Sequence, residues 1–122
     1  MRGSVTARLE AVLRLRLRGP AGAEVELEAV VDTGFTGSLA VPAAVAASLG
    51  LARRSGGTAT PADGSTVRFD TYGAEVEWGD VWRGVVVSAV GGESLVGMGL
   101  LAGCELRVEV VAGGVVEVRP VP

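Results

Sequence analysis

The sequence predicts a small all-β domain of short strands with one or two short helices. Apolar residues make up 48% of the chain and aromatic residues only 4%, so Val, Leu and Ala must fill the core. Valine favours pleated, half-buried strands. Many of the 19 glycines lie between apolar runs, where they indicate tight turns. The length of 122 residues fits one domain that covers residues 1–122.

The first predicted element is a β-hairpin. Apolar residues occupy the odd positions from 7 to 17, most even positions there are charged, and the alternation resumes from 25 to 31 after a Gly-Pro-Ala-Gly turn at 19–22. A period of two predicts strands with one buried face. The exposed face carries a predicted cross-strand charge ladder. Its members are Arg14, Arg16, Arg18, Glu24, Glu26 and Glu28.

The rest of the chain predicts one clear helix and several further strands. Pro42 suits the first turn of a helix over residues 43–49, and Gly50 ends it. Apolar alternation predicts strands near 67–72, 74–78, 82–90, 106–110 and 115–121. Turn residues separate them at 63–64, 79–80, 91–92 and 113–114. A second, short helical turn is predicted to begin near Met98.

Composition excludes several function classes. The net charge is −3 and the basic residues form no dense run, so no nucleic-acid partner is expected. The chain has no histidine and no clustered ligands, which argues against imidazole-based triads, metals and other cofactors. Cys104 is the only cysteine, and we interpret it as a packing residue in a reducing, cytoplasmic setting. Charges at Arg8, Glu10 and Arg14 interrupt the N-terminal apolar run, so neither a signal peptide nor a membrane span is expected.

The triplet Asp32-Thr33-Gly34 directly follows the second apolar strand. On a loop at the floor of a cleft, such a carboxylate can hold a water molecule. Thr33 can hydrogen-bond across the loop and orient the carboxylate, and Gly34 allows a close backbone approach that a Cβ would obstruct. Taken alone, the triplet also suits an ordinary turn after a strand.

A second segment strengthens the functional interpretation. Leu95-Val96-Gly97 stands before the predicted helical turn at Met98, and residues 51–72 between the two segments contain the Ala62-Asp63-Gly64 turn. Across about residues 24–111, this order resembles the retropepsin-like family of aspartic peptidases, particularly its bacterial single-domain members. The resemblance implies a closed acid-protease-type β-barrel with one lobe per chain. It also implies that residues 51–72 form a flap hairpin and that Leu95-Val96-Gly97 packs against the glycine loop.

The family's activity is endopeptidase hydrolysis by two facing aspartates that share one proton. The resemblance implies catalytic roles for Asp32, Thr33 and Gly34. It also implies contacts with a peptide or protein substrate for Phe35, Thr36, Gly37, Ala62, Asp63 and Gly64. The sequence has only one such triplet, and Asp63, Asp70 and Asp80 are interpreted as solvated or turn residues. The second carboxylate is therefore expected from Asp32 of another copy in a homodimer. The N-terminal strand and residues 115–121 are the expected remaining interface, as terminal strands are in retropepsins.

Some alternatives remain open at this point. Viral members of the family carry Ala and a polar residue where this chain has Phe35-Thr36, and Arg with Asn or Asp where it has Met98-Gly99. The chain could be a β-barrel with a chance triplet, a non-catalytic peptide- or protein-binding module, or a small antitoxin-like regulator. Phe35 could line a substrate pocket or pack inward. Tyr72 could stand at the base of the flap or in the core, and Trp78 and Trp82 in the core or an interface.

Overall fold

The computed structural model describes residues 1–60 and 62–122, without the side chains of residues 57, 59 and 67–69. It is a small all-β barrel with two short helices, as the sequence predicts. In chain order the elements are β1 (Arg2–Val5), β2 (Ala11–Arg18), β3 (Glu24–Val31), β4 (Leu39–Val41), α1 (Ala43–Ser48), β5 (Ala52–Ala59), β6 (Val67–Trp78), β7 (Val81–Ala89), β8 (Leu95–Val96), α2 (Met98–Leu101), β9 (Cys104–Val108) and β10 (Val115–Pro120).

Six strands close into the barrel, in the order β6, β7, β4, β8, β3 and β2. The closing pair is β2 with β6, where Leu17 stands opposite Val76 and Arg18 opposite Glu75. Strands β1, β10 and β9 extend the sheet outward from β2, and β5 extends it from β6. The barrel interior is filled by fully buried Leu and Val side chains, as the low aromatic content requires.

Strand β8 lies between two strands that precede it in the sequence. It pairs in parallel with β3, where Val31 stands opposite Val96, and antiparallel with β4, where Leu39 also stands opposite Val96. These pairings carry the residues that follow β3 and β8 to the same end of the barrel. Asp32 and Gly97 therefore belong to adjacent loops.

The first hairpin is confirmed in its register but begins later than predicted. Strands β2 and β3 pair from Val12↔Val30 to Arg18↔Glu24, and Arg14 bonds to both Glu26 and Glu28. Residues 7–9, predicted as strand, form a turn instead, because the chain must reverse between β1 and β2. Leu9 there has a φ of 65° and is 57% exposed.

The terminal strands, which are expected to contribute to an interface, pair with neighbours inside the chain. Strand β1 pairs with both β2 and β10, and β10 pairs with both β1 and β9. The backbone edges of these strands are therefore largely used within the chain, which leaves their side-chain faces for the expected contact with another copy. The strands with an open edge are β9 at one end of the sheet and β5 at the other.

The predicted helices are found at their predicted positions. Helix α1 follows Pro42, and Gly50 ends it with a φ of 61°. Helix α2 begins at Met98 and buries Leu100 and Leu101. In the part of the chain that the structure describes, no helix has the length and apolar character needed to cross a membrane.

Candidate active site

Asp32 is held on a tight loop directly after β3. Its N–H donates to the carbonyl of Val96 at 2.9 Å, and its own carbonyl accepts from the N–H of Phe35 at 3.1 Å. The N–H of Gly34 donates to Oδ1 of Asp32 at 2.9 Å. The Asp32 side chain is half-buried, while Thr33 and Gly34 are exposed. The loop thus presents an oriented carboxylate at the surface, where a water molecule or ligand can reach it.

The backbone of Gly34 lies close to the Asp32 carboxylate, which a residue without a Cβ permits. A Cβ at this position would stand 3.2 Å from Oδ1 of Asp32, which is tighter than an ordinary contact. The Gly34 N–H also performs the orienting role expected of Thr33. Within the described residues, the Thr33 side chain makes no hydrogen bond across the loop, and it points to the surface instead.

The Asp32 loop is tied to the segment that begins helix α2. The N–H of Gly97 donates to the carbonyl of Ser38 at 3.0 Å, that of Met98 to Phe35 at 2.8 Å, and that of Gly99 to Gly37 at 3.0 Å. Three successive backbone hydrogen bonds thus join residues 97–99, which follow β8, to residues 35–38, which follow Asp32-Thr33-Gly34. A loop fixed at this many points can hold a carboxylate in one orientation.

Glycines make this close packing possible. A Cβ on Gly97 would overlap the carbonyl oxygen of Gly37 and approach the Phe35 ring to 2.6 Å, and a Cβ on Gly37 would approach the same ring to 2.6 Å. The half-buried Phe35 ring therefore lies against the backbone of both glycines. Thr36, like Thr33, is an exposed side chain of this loop.

The predicted flap residues form a separate hairpin. Strands β5 and β6 pair from Ala52↔Gly73 to Ala59↔Val67, and β7 pairs with β6 only as far as Asp70↔Ala89. The end of the hairpin therefore extends beyond β7. Pro61, which belongs to the predicted flap, lies outside the described residues. Tyr72, at the base of the hairpin, packs against the edge of the core.

Ala62, Asp63 and Gly64 form an exposed turn at the end of this hairpin. The Asp63 Oδ1 accepts hydrogen bonds from the hydroxyl of Ser65 at 2.7 Å and from its N–H at 2.9 Å, and Gly64 has a φ of 82°. Both bonds lower the pKa of Asp63, and the bond from the Ser65 hydroxyl has the larger effect. Among the described residues, no hydrogen bond joins this turn to the Asp32 loop.

The other aspartates of the described chain are bonded elsewhere or exposed in a turn. Asp70 is bonded to Arg53 at 3.0 Å, Asp63 to Ser65, and Asp80 is exposed in the β6–β7 turn. Residues 1–60 and 62–122 contain no group of three or more His, Cys, Asp or Glu side chains that could hold a metal ion. The Asp32 loop of one chain therefore presents a single aspartate.

A depression of about 350 Å³, which was not predicted from the sequence, lies beside the Asp32-Thr33-Gly34 loop. Thr33, Met98, Leu101, Cys104 and Leu106 line it, together with the backbone turn at 102–103. The available signal was the apolar alternation of residues 104, 106 and 108, which predicts one inward face on β9.

Comparisons of the chain with the profiles of known families, with curated proteins and with solved structures gave no match.

Proposed function

We propose that the chain is an aspartic endopeptidase that acts as a homodimer, with one Asp32 from each copy. The observation that carries the proposal is the orientation of Asp32 by the Gly34 N–H, on a loop bonded to the segment after β8. The exposed turn at Asp63 has the same type of N–H to Oδ1 bond, so the proposal is supported mainly by the backbone bonds of the Asp32 loop to residues 97–99 and by the glycine packing between them.

The reaction needs two carboxylates in different protonation states. The ionised carboxylate takes a proton from water while the water oxygen forms a bond to the scissile carbonyl carbon. The protonated carboxyl donates its proton to the carbonyl oxygen, which gives a tetrahedral diol. Proton transfer to the amide nitrogen then breaks the C–N bond. Two carboxylates at contact distance share one proton, because both cannot ionise cheaply.

A peptide in extended conformation is the substrate that suits this surface. The β5–β6 hairpin extends beyond the barrel, so two copies would place two such hairpins around a common cleft. Exposed Thr36 and the turn at Ala62, Asp63 and Gly64 are the proposed substrate contacts, with Phe35 and Gly37 shaping the loop from beneath. Extended peptides bind through backbone hydrogen bonds to strand edges.

The test is cleavage of a peptide library across pH by wild type, Asp32→Asn and a control variant. Asp80→Asn makes the same chemical change in an exposed turn far along the chain from the triplet. Wild type and Asp80→Asn should cleave with a bell-shaped dependence of rate on pH. Asp32→Asn should lose activity by about a thousandfold or more, since Asn cannot accept the proton from water. Equal cleavage by wild type and Asp32→Asn would refute the proposal.

A peptide-binding module without catalysis is the second candidate. It is favoured by the single carboxylate of each chain and by the Thr33 side chain, which makes no hydrogen bond within the described residues. A folded wild-type dimer that binds library peptides without cleaving them, and keeps that affinity after Asp32→Asn, would support this candidate over the peptidase.

A further inference from the structure

Strand β9 presents an unpaired backbone edge. The N–H of Glu109 donates to the Val115 carbonyl, and the N–H of Val121 donates to the Gly103 carbonyl, each at 2.9 Å. Because antiparallel bonding alternates along a strand, odd-numbered residues of β9 face β10. The N–H and C=O groups of Cys104, Leu106 and Val108 therefore point away from β10. Across residues 1–60 and 62–122, no strand or loop backbone bonds to them from that side.

The two faces of β9 differ in character. Glu105 and Arg107 are exposed on the outer face, while Cys104, Leu106 and Val108 are half-buried on the inner face. The inner face meets the depression beside the triplet, since Cys104 and Leu106 line it together with Thr33. Large apolar side chains stand exposed around the strand: Met98 is 48% exposed, Val121 54% and Val110 64%. An open strand edge with apolar surroundings is a site for strand pairing with another chain.

We propose that β9 pairs antiparallel with β9 of a second copy about a two-fold axis at Leu106, and that this interface assembles the active site. The inference rests on the proposed function, because it names the partner that completes that site. The pairing joins the β1–β10–β9 ladders of both copies into one continuous sheet. Thr33 lines the same depression as Leu106 on the inner face, so a two-fold axis at Leu106 places both Asp32 loops on the same side of the joined sheet.

Charge selects this register over its neighbours. With Leu106 opposite the partner's Leu106, Glu105 stands opposite the partner's Arg107, and the two-fold axis repeats the pair. These are non-hydrogen-bonded positions, whose side chains come closest in an antiparallel ladder. Shifting the axis toward Glu105 places two glutamates opposite each other, and shifting it toward Arg107 places two arginines opposite each other. Like charges directly opposite one another are destabilising.

The other open edge does not have these properties. Strand β5 has the sequence Ala-Arg-Arg-Ser-Gly-Gly-Thr-Ala, and Arg53, Arg54 and Ser55 are exposed. Glycine weakens a strand, and adjacent arginines discourage pairing with an identical edge. The depression beside Thr33 also borders β9 and not β5. The second copy is therefore assigned to β9.

Complementary charge variants test the interface. Glu105→Arg places arginine opposite the partner's Arg107, and Arg107→Glu places glutamate opposite the partner's Glu105. Each variant alone should dimerise with a dissociation constant raised about tenfold or more, and an equimolar mixture should recover dimer as a heterodimer. Sedimentation velocity measures the fraction of protein that is dimeric, and a tag that adds mass to one variant distinguishes the heterodimer from the two homodimers. Glu105→Arg also removes the bond to Arg119 within the chain, and Arg107→Glu removes the bond to Glu109. Each loss is the same before and after mixing, so it does not affect the comparison.

The matched control is Arg83→Glu, which reverses an exposed charge on β7 and should leave dimerisation unchanged alone and in mixtures. If mixing yields no more dimer than the separate variants, or if both variants dimerise as wild type does, the interface is refuted. This readout is independent of peptide cleavage. A dimer that responds to these charge changes but cleaves no peptide would support the β9 interface and refute the proposed function. An active dimer that does not respond to them would support the proposed function and refute the β9 interface.

Discussion

The backbone N–H of Gly34 donates a 2.9 Å hydrogen bond to Oδ1 of Asp32, so the residue two positions after the carboxylate fixes its orientation. The contact is short-range in sequence, and the absence of a Cβ at position 34 leaves room for the carboxylate beside the backbone. It gives Gly34 a structural role within the single chain.

Gly34→Ala should reduce activity more than stability. Its Cβ would stand 3.2 Å from Oδ1, so the carboxylate or the loop must shift by a few tenths of an ångström. We expect kcat/KM for peptide cleavage to fall about tenfold or more and the free energy of unfolding to change by less than about 1 kcal/mol. Gly84→Ala is the control, because nothing lies within 4 Å of its added Cβ. Unchanged cleavage by Gly34→Ala would contradict the orienting role.

Gly97→Ala should be strongly destabilising. The new Cβ would overlap the carbonyl oxygen of Gly37, and backbone atoms cannot move aside as a flexible side chain can. We expect the free energy of unfolding to fall by about 2–4 kcal/mol, measured by urea denaturation. Gly92→Ala adds the same methyl group in open space and should unfold as wild type does. Similar midpoints for the two variants would show that the two loops are not packed as described.

Arg18 should contribute to closing the barrel. Its guanidinium lies 4.2 Å from the centroid of the Trp82 ring, and its Nε lies 3.1 Å from Oε1 of Glu75 on the facing strand. Arg18→Ala should lower the free energy of unfolding by about 1 kcal/mol through loss of both contacts. Arg16→Ala removes a more exposed guanidinium that is 3.8 Å from Glu24, and should change stability less. Equal effects would mean that the Trp82 contact contributes nothing measurable.

The turn at Asp63 should loosen in acid. Hydrogen bonds from Ser65 lower the pKa of Asp63, so its folded-state pKa lies below the unfolded one. The resulting stabilisation is fully present above the unfolded pKa, which is about 3.9 for an ordinary Asp. It is lost as pH falls through the lowered, folded-state pKa. Ser65→Ala removes the hydroxyl bond and keeps the backbone bond, so the pKa of Asp63 should rise toward its ordinary range in an NMR titration.

The control for this titration is Ser55→Ala, which removes a hydroxyl that bonds to Thr71 and leaves the Ser65 contacts intact. The pKa of Asp63 should not change in that variant. A pKa of Asp63 that is the same in wild type and Ser65→Ala would show that the turn does not hold the carboxylate as described.

Local patterns predicted the elements well where one face of a strand is buried. The alternation from 11 to 17 and from 25 to 31 gave the register of the first hairpin, because shifting a strand by one residue would expose its leucines. Pro42 and Gly50 marked the ends of α1 for reasons internal to the backbone. The alternation misled at residues 7–9, where Leu9 is exposed in a turn that only the pairing of β1 with β2 requires.

For the site too, local features could be predicted from the sequence and the pairing of distant segments could not. The sequence by itself determined that Asp32 follows a buried strand, that glycines stand where a Cβ would obstruct the loop, and that the chain holds one such triplet. Only the tertiary structure decided that β8 lies between β3 and β4, that the Phe35 ring lies against Gly37 and Gly97, and that β9 has an open edge. Strand partners far apart in sequence are chosen by the packing of the whole core, and no local spacing encodes which edge remains unpaired.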